Sequence, residues 1–96
     1  MENIEEHIDV EETIDTQIKN LLNNNNSIIL YNDSINSFDY VIDCLMIHCN
    51  HSSIQAEQCA LITHNQGLCN IKSGSRKELT KILDALTEKN LIVEIQ

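Results

Sequence analysis

The sequence predicts an α+β fold, a two-layer sandwich in the order strand-helix-helix-strand-helix-strand. A three-stranded antiparallel sheet would carry its helices on one face. Three observations lead there. A β-branched apolar run, Ser27-Ile28-Ile29-Leu30-Tyr31, opens the ordered part, and a second, Leu91-Ile92-Val93-Glu94-Ile95, closes it. Between them, three apolar stripes at helical spacing each follow a serine suited to an N-cap. With 96 residues there is room for one small core, and helices packed on one sheet face is the economical way to build it.

The elements follow in chain order. Residues 1–22 space Ile4, Ile8, Ile14, Ile18 and Leu21 for a weak amphipathic helix, but acidity and the lack of aromatics favour disorder equally. Asn23 to Asn26 form a poor helix and a good linker, so the expected boundary separates an acidic extension, 1–26, from a core, 27–96. The first strand covers Ser27 to Tyr31, and Asn32-Asp33-Ser34 supplies turn chemistry after it. Ser37 caps a helix reaching about Asn50, with Val41, Ile42, Leu45 and Cys49 on one face. Ser52 and Gln55 form a capping box for a second helix. Ala56, Cys59, Ala60 and Thr63 lie along one side of it, and it ends near Gln66 with Gly67 at the exit. Leu68 to Lys72 reads as a short strand. Ser75 and Glu78 form another capping box, and Leu79, Ile82, Leu83 and Leu86 make the clearest helical stripe. The final strand runs from Leu91 to Ile95.

Composition excludes several function classes. The formal net charge is −9, from 15 acidic and 6 basic residues, which disfavours nucleic acid and anionic membrane surfaces. Seven of the acids fall within residues 1–15, where there is no Lys or Arg. No apolar run approaches the ~20 residues that span a bilayer. The first residues are acidic, unlike a signal peptide, so a cytoplasmic protein is expected. In a reducing compartment the four cysteines are expected as thiols.

The chemistry-bearing residues allow three readings. A metal site could draw on Cys44 and His48, four apart on one helix, with Cys49, His51, Cys59 and His64 nearby. No Cys-x-x-Cys pair is present, and buried thiols are the plainer reading. A Cys–His nucleophile would need a positive or helix-N-terminal setting, which none of the cysteines has. There is no Gly-x-Ser-x-Gly elbow and no Gly-rich phosphate loop, so neither an enzyme nor a cofactor is expected. The third reading joins Asn32 and Asp33, at the exit of the first strand, with His64 in the last turn of the second helix. An amide oxygen, a carboxylate and a neutral imidazole nitrogen are all acceptors, and they suit a ligand that is all donor, such as an α-ammonium. Against it stands a simpler account, in which Asn32-Asp33 forms an Asx turn and His64 ends a helix.

Two stretches of these residues resemble a known family. Ile28-Ile29-Leu30-Tyr31-Asn32-Asp33, followed by Phe38-Asp39-Tyr40-Val41-Ile42-Asp43, resembles the V-x-L-x-N-D-D-x-x-T-P-M-E-F-V-I-x-x-L signature of the ClpS family. Gln55-Ala56-Glu57-Gln58 through His64-Asn65-Gln66-Gly67 resembles its A-T-x-x-M-x-x-V-H-x-x-G. Order, spacing and expected elements agree over about residues 27–96. The resemblance implies the fold ClpS shares with the C-terminal domain of a ribosomal stalk protein. It also implies a monomeric, non-enzymatic adaptor. Such an adaptor takes N-degron proteins by a free α-amino group and a bulky apolar first side chain. It hands them to the N-terminal domain of a Clp ATPase of the ClpA or ClpC kind.

By the same resemblance, Asn32, Asp33 and His64 would bind the α-amino group. Asn36, Phe38, Val41, Ala60, Thr63 and, from the last strand, Leu91 would line the side-chain pocket. The extension would serve delivery. Three departures bear on specificity: Ser34 stands where the family has its second Asp, Asn36-Ser37-Phe38 replaces Thr-Pro-Met, and Ala60 replaces a Met.

Overall fold

The computed structural model describes residues 26–96, so the amphipathic or disordered extension expected before them lies outside the described residues. Six elements follow in chain order. They are β1 (Asn26–Tyr31), α1 (Phe38–His48), α2 (Ser53–Gln66), β2 (Leu68–Gly74), α3 (Arg76–Glu88) and β3 (Val93–Ile95). The strands form one antiparallel sheet in the order β2-β1-β3, with β1 central. Asn26, assigned to the linker from the sequence, is the first residue of β1 and pairs with Gly74.

All three helices begin at the serines that the sequence offers. Ser37 accepts from the Tyr40 N–H, Ser52 from the Gln55 N–H and Ser75 from the Glu78 N–H, each satisfying one orphan donor of a first turn. The helix α2 ends on Gly67, which takes φ +94° and donates its N–H to the Thr63 carbonyl. A glycine tolerates that conformation because it has no Cβ.

Alternation along the strands sends one set of side chains to the helices. Ile28 and Leu30 of β1 and Cys69 and Ile71 of β2 join Cys44, Leu45, Ala56, Leu79, Leu86 and Leu91 in one buried cluster. Val93 and Ile95 of β3 pack against it from the other edge. The opposite sheet face carries a polar network, in which the Tyr31 hydroxyl donates to Glu94 Oε1 at 2.5 Å and Gln96 Nε2 donates to the same oxygen at 3.0 Å.

The register contains one irregularity. Ile28 pairs with Lys72 and Ile29 with Asn70, so Ile71 is bulged out of the ladder. Its carbonyl oxygen instead meets His51 Nε2 at 2.7 Å. A carbonyl only accepts, so Nε2 carries the hydrogen of this bond. Lys72 Nζ donates to the Cys49 carbonyl at 3.1 Å, capping the end of α1.

The last strand is shorter than the sequence suggests. Leu91 lies before β3, is 4% exposed, and belongs to the core. Its N–H donates to the Leu86 carbonyl, closing the turn after α3, where Asn90 takes φ +68°. The sheet hydrogen bonding still extends past β3, because the Tyr31 N–H donates to the Ile92 carbonyl at 2.9 Å.

A Cβ added at Gly67 meets no atom within 4 Å, so the cost of Gly67→Ala is backbone strain alone. Urea unfolding should show a loss of about 1–2 kcal/mol with an unchanged m value. A much larger loss would mean that the helix end is also sterically locked.

Candidate functional site

Where β1 leaves the sheet, its last ladder contact is with the end of α2. The Asn32 N–H donates to the Gly67 carbonyl at 2.9 Å. This bond holds the turn after β1 against the last turn of α2, and between the two lies a cavity of about 550 Å³. The turn contributes Asn32, Asp33, Ser34 and Asn36 to its wall, and β1 contributes Leu30 and Tyr31. From α1 come Phe38 and Val41, and from α2 come Ala60, Leu61, Thr63 and His64.

The wall divides by chemistry. Leu30, Ala60 and Thr63 are buried, Val41 is half-buried, and Phe38 stands 40% exposed at the rim. Thr63 contributes little polarity, because its hydroxyl donates to the Cys59 carbonyl at 2.8 Å within the helix. Asn32 and His64 are exposed, and neither side chain is hydrogen-bonded to another described residue.

Asp33 plays two parts. Its Oδ1 accepts from the Ile35 N–H at 2.8 Å and the Asn36 N–H at 2.7 Å, which is the Asx turn allowed by the sequence. Its Oδ2 accepts from Asn36 Nδ2 at 3.0 Å. Burial pushes this carboxyl upward, but the hydrogen bonds from Asn36 and Ile35 outweigh it and hold the group below the usual carboxylate range. Asp33 therefore brings a fixed negative charge to the cavity wall while shaping the turn.

Of the nine residues singled out from the sequence, eight line this cavity: Asn32, Asp33, Asn36, Phe38, Val41, Ala60, Thr63 and His64. Leu91 does not. It turns into the core beneath the α3–β3 turn, and what that turn offers the site is backbone. Asn36 Nδ2 donates to the Asn90 carbonyl at 2.9 Å and the Tyr40 hydroxyl to the Lys89 carbonyl at 2.9 Å. Leu30, Tyr31 and Leu61 were missed. The first two could have been found as the residues just before Asn32, since a strand that delivers a site also forms its floor. Leu61 gave no signal beyond standing next to Ala60.

The cysteines do not form a competing centre. Cys44, Cys49 and Cys69 are buried free thiols and Cys59 is half-buried. Burial pushes the Cys49 and Cys59 thiols up to about 11, away from the thiolate a nucleophile needs. Among the described residues, no group of three His, Cys, Asp or Glu is arranged to hold a metal ion. No described helix is long and apolar enough to cross a membrane.

Comparison with known proteins bears on this arrangement. The fold matches that of Agrobacterium tumefaciens ClpS2, solved bound to L-phenylalaninamide, with a TM-score of 0.63. The match covers 74% of this chain and 93% of that one at 16% sequence identity. No curated protein sequence matches the chain significantly. The family model for the ATP-dependent Clp protease adaptor protein ClpS matches residues 22–91, which include every strand and helix described except the last strand. On that match, the chain belongs to the ClpS family.

Proposed function

We propose that this protein is a cytoplasmic, non-enzymatic adaptor that binds N-degron substrates in the cavity at the end of β1 and delivers them to a Clp ATPase. The observation that carries this reading is the division of the cavity wall. Asn32 and His64, whose side chains are hydrogen-bonded to no described residue, and the charge of Asp33 share the wall with Phe38, Val41, Ala60 and Thr63. A chain start with a bulky apolar side chain is complementary to both. L-phenylalaninamide, the ligand of the ClpS2 structure, has a free amine and such a side chain.

Each part of the wall has a physical task. An α-amino group has an ordinary pKa of about 7.7–8.0, so at neutral pH it is mostly an ammonium with three N–H donors. The Asn32 carboxamide oxygen and an unprotonated His64 nitrogen accept from it, and Asp33 supplies the opposite charge. The first side chain leaves water for the hollow between α1 and α2, which favours binding by roughly 25 cal/mol per Å² of apolar surface buried. An acidic first side chain would bring a charge there with no partner and is rejected. No bond is made or broken in this scheme.

Charge also bears on the partners. A net −9 chain repels nucleic acid and favours partners carrying positive groups. The ATPase partner would be the N-terminal domain of a ClpA or ClpC type unfoldase, engaged by a monomeric adaptor. The acidic extension, residues 1–25, would promote transfer. A second reading rests on Ser34, which leaves one family carboxylate missing from the cavity: a protein-interaction module of the same fold that does not bind degrons.

Titration with a peptide beginning in free Phe or Leu separates these readings. The free amine should bind, and its acetylated form should not, because the Asn32 and His64 acceptors would then face a single amide N–H and the Asp33 charge would face no cation. Equal behaviour of the two peptides would favour the module reading. Asn32→Ala or His64→Ala should each weaken binding by about 1.5–3 kcal/mol, the range for hydrogen bonds to a charged group.

Deleting residues 1–22 should spare peptide binding and slow degradation by the unfoldase–protease. Loss of peptide binding as well would make the extension part of the fold.

A further inference from the structure

Asn36 lines the cavity wall, and its side chain is oriented by two partners. Nδ2 lies 3.0 Å from Asp33 Oδ2 and 2.9 Å from the Asn90 carbonyl oxygen. A carboxylate and a carbonyl only accept, so the amide must turn its NH2 group to both. Both of its N–H donors are then used within the protein. The remaining atom, Oδ1, accepts from no described residue. It is not sealed inside either, since His51 Nδ1 is the one buried side-chain polar atom left without a partner among the described residues.

Asp33 stands in the reverse position. Its two oxygens already accept three hydrogen bonds, two at Oδ1 and one at Oδ2. A carboxylate offers about four acceptor positions, so little of it is left for a ligand. What Asp33 does with one of those bonds is aim Asn36. Ser34, on the same wall, has only a hydroxyl where the family pattern has a second carboxylate.

We propose that Asn36 Oδ1 is the third direct acceptor for the bound α-ammonium, beside Asn32 and His64, and that Asp33 is the positioning residue that holds it. This rests on the degron reading of the cavity. It moves Asn36 from the side-chain pocket, where the family resemblance puts it, to the amine end. Three acceptors then meet three N–H donors, and the charge of Asp33 acts from one residue behind. The site recognises a primary α-amine specifically, because each of the three hydrogens has its own partner. A secondary amine, such as an N-methylated chain start, leaves one acceptor desolvated and unpaired.

Peptides with the same first residue and a free, N-monomethyl or N,N-dimethyl amine test this by calorimetry. All three are cations at neutral pH, with three, two and one N–H donors. For the wild-type protein the first methylation should lower affinity about tenfold. In Asn36→Ala the free amine should bind about tenfold more weakly, and the first methylation should then cost less than twofold. An unchanged methylation penalty in Asn36→Ala would show a steric effect unrelated to Asn36 and overturn the proposal. So would free-amine affinity equal to wild type.

Because Asn36→Ala also removes the links to Asp33 and Asn90, the wild-type protein supplies a second readout. The Asn36 side-chain 13Cγ resonance should shift on titration with the free-amine peptide and not with its dimethylated form. Identical shifts with both would overturn the proposal. If free and acetylated peptides are bound alike or neither is bound, the degron reading itself fails. Binding that requires a free amine but tolerates monomethylation defeats the Asn36 assignment alone.

Discussion

The site depends on how the antiparallel pairing of β1 with β2 is carried one step beyond the strands. The Asn32 N–H reaches the Gly67 carbonyl at 2.9 Å, and Gly67 is at once the exit of α2 and the residue before β2. One hydrogen bond therefore couples three elements. It continues the Tyr31–Leu68 pairing by one residue and ties the turn after β1 to the last turn of α2, which carries His64. A left-handed residue is required at that junction because α2 must stop and the chain must reverse into β2 within a single residue.

Around this joint the protein spends its polar groups on holding other polar groups still. Asp33 closes its own turn and orients Asn36, and Asn36 ties the turn to the Asn90 carbonyl across 54 residues of sequence. Tyr40 reaches the neighbouring Lys89 carbonyl from α1. The α3–β3 turn thus acts as a brace behind the cavity, through its backbone carbonyls. A cavity that must recognise a small cation gains from such rigidity, since acceptors fixed before binding lose little freedom when the ligand arrives.

The same economy appears at the far end of the sheet. Bulging Ile71 out of the ladder frees its carbonyl, and the buried His51 ring takes it. Lys72, beside the bulge, caps α1 at the Cys49 carbonyl. The two interactions fasten the α1–α2 corner to β2, so α2 is held at its start by the bulge and at its end by Gly67. His64 and the buried Ala60 and Thr63 inherit their placement from those two anchors.

Much of this was legible in the sequence, because it is written in local chemistry. Ser37, Ser52 and Ser75 announce three helix starts, Gly67 announces an exit, and the β-branched apolar run through Leu30 announces a strand. Each signal acts within about four residues of itself, which is the reach of a capping hydrogen bond or a helical turn. Of the eight cavity residues, Asn32, Asp33 and His64 were legible as acceptors at a strand exit and a helix end, and the other five only through the family resemblance. Other features waited on the tertiary structure. Leu91 enters the core because the α3–β3 turn closes on the Leu86 carbonyl, a choice that apolar patterning leaves open. The division of labour between Asp33 and Asn36 depends on where the Asn90 carbonyl comes to rest, and no spacing along the chain encodes a partner 54 residues away. Local hydrogen bonds fixed which elements form and where they begin, whereas packing decided which of their polar atoms would be consumed and which left free to meet a ligand.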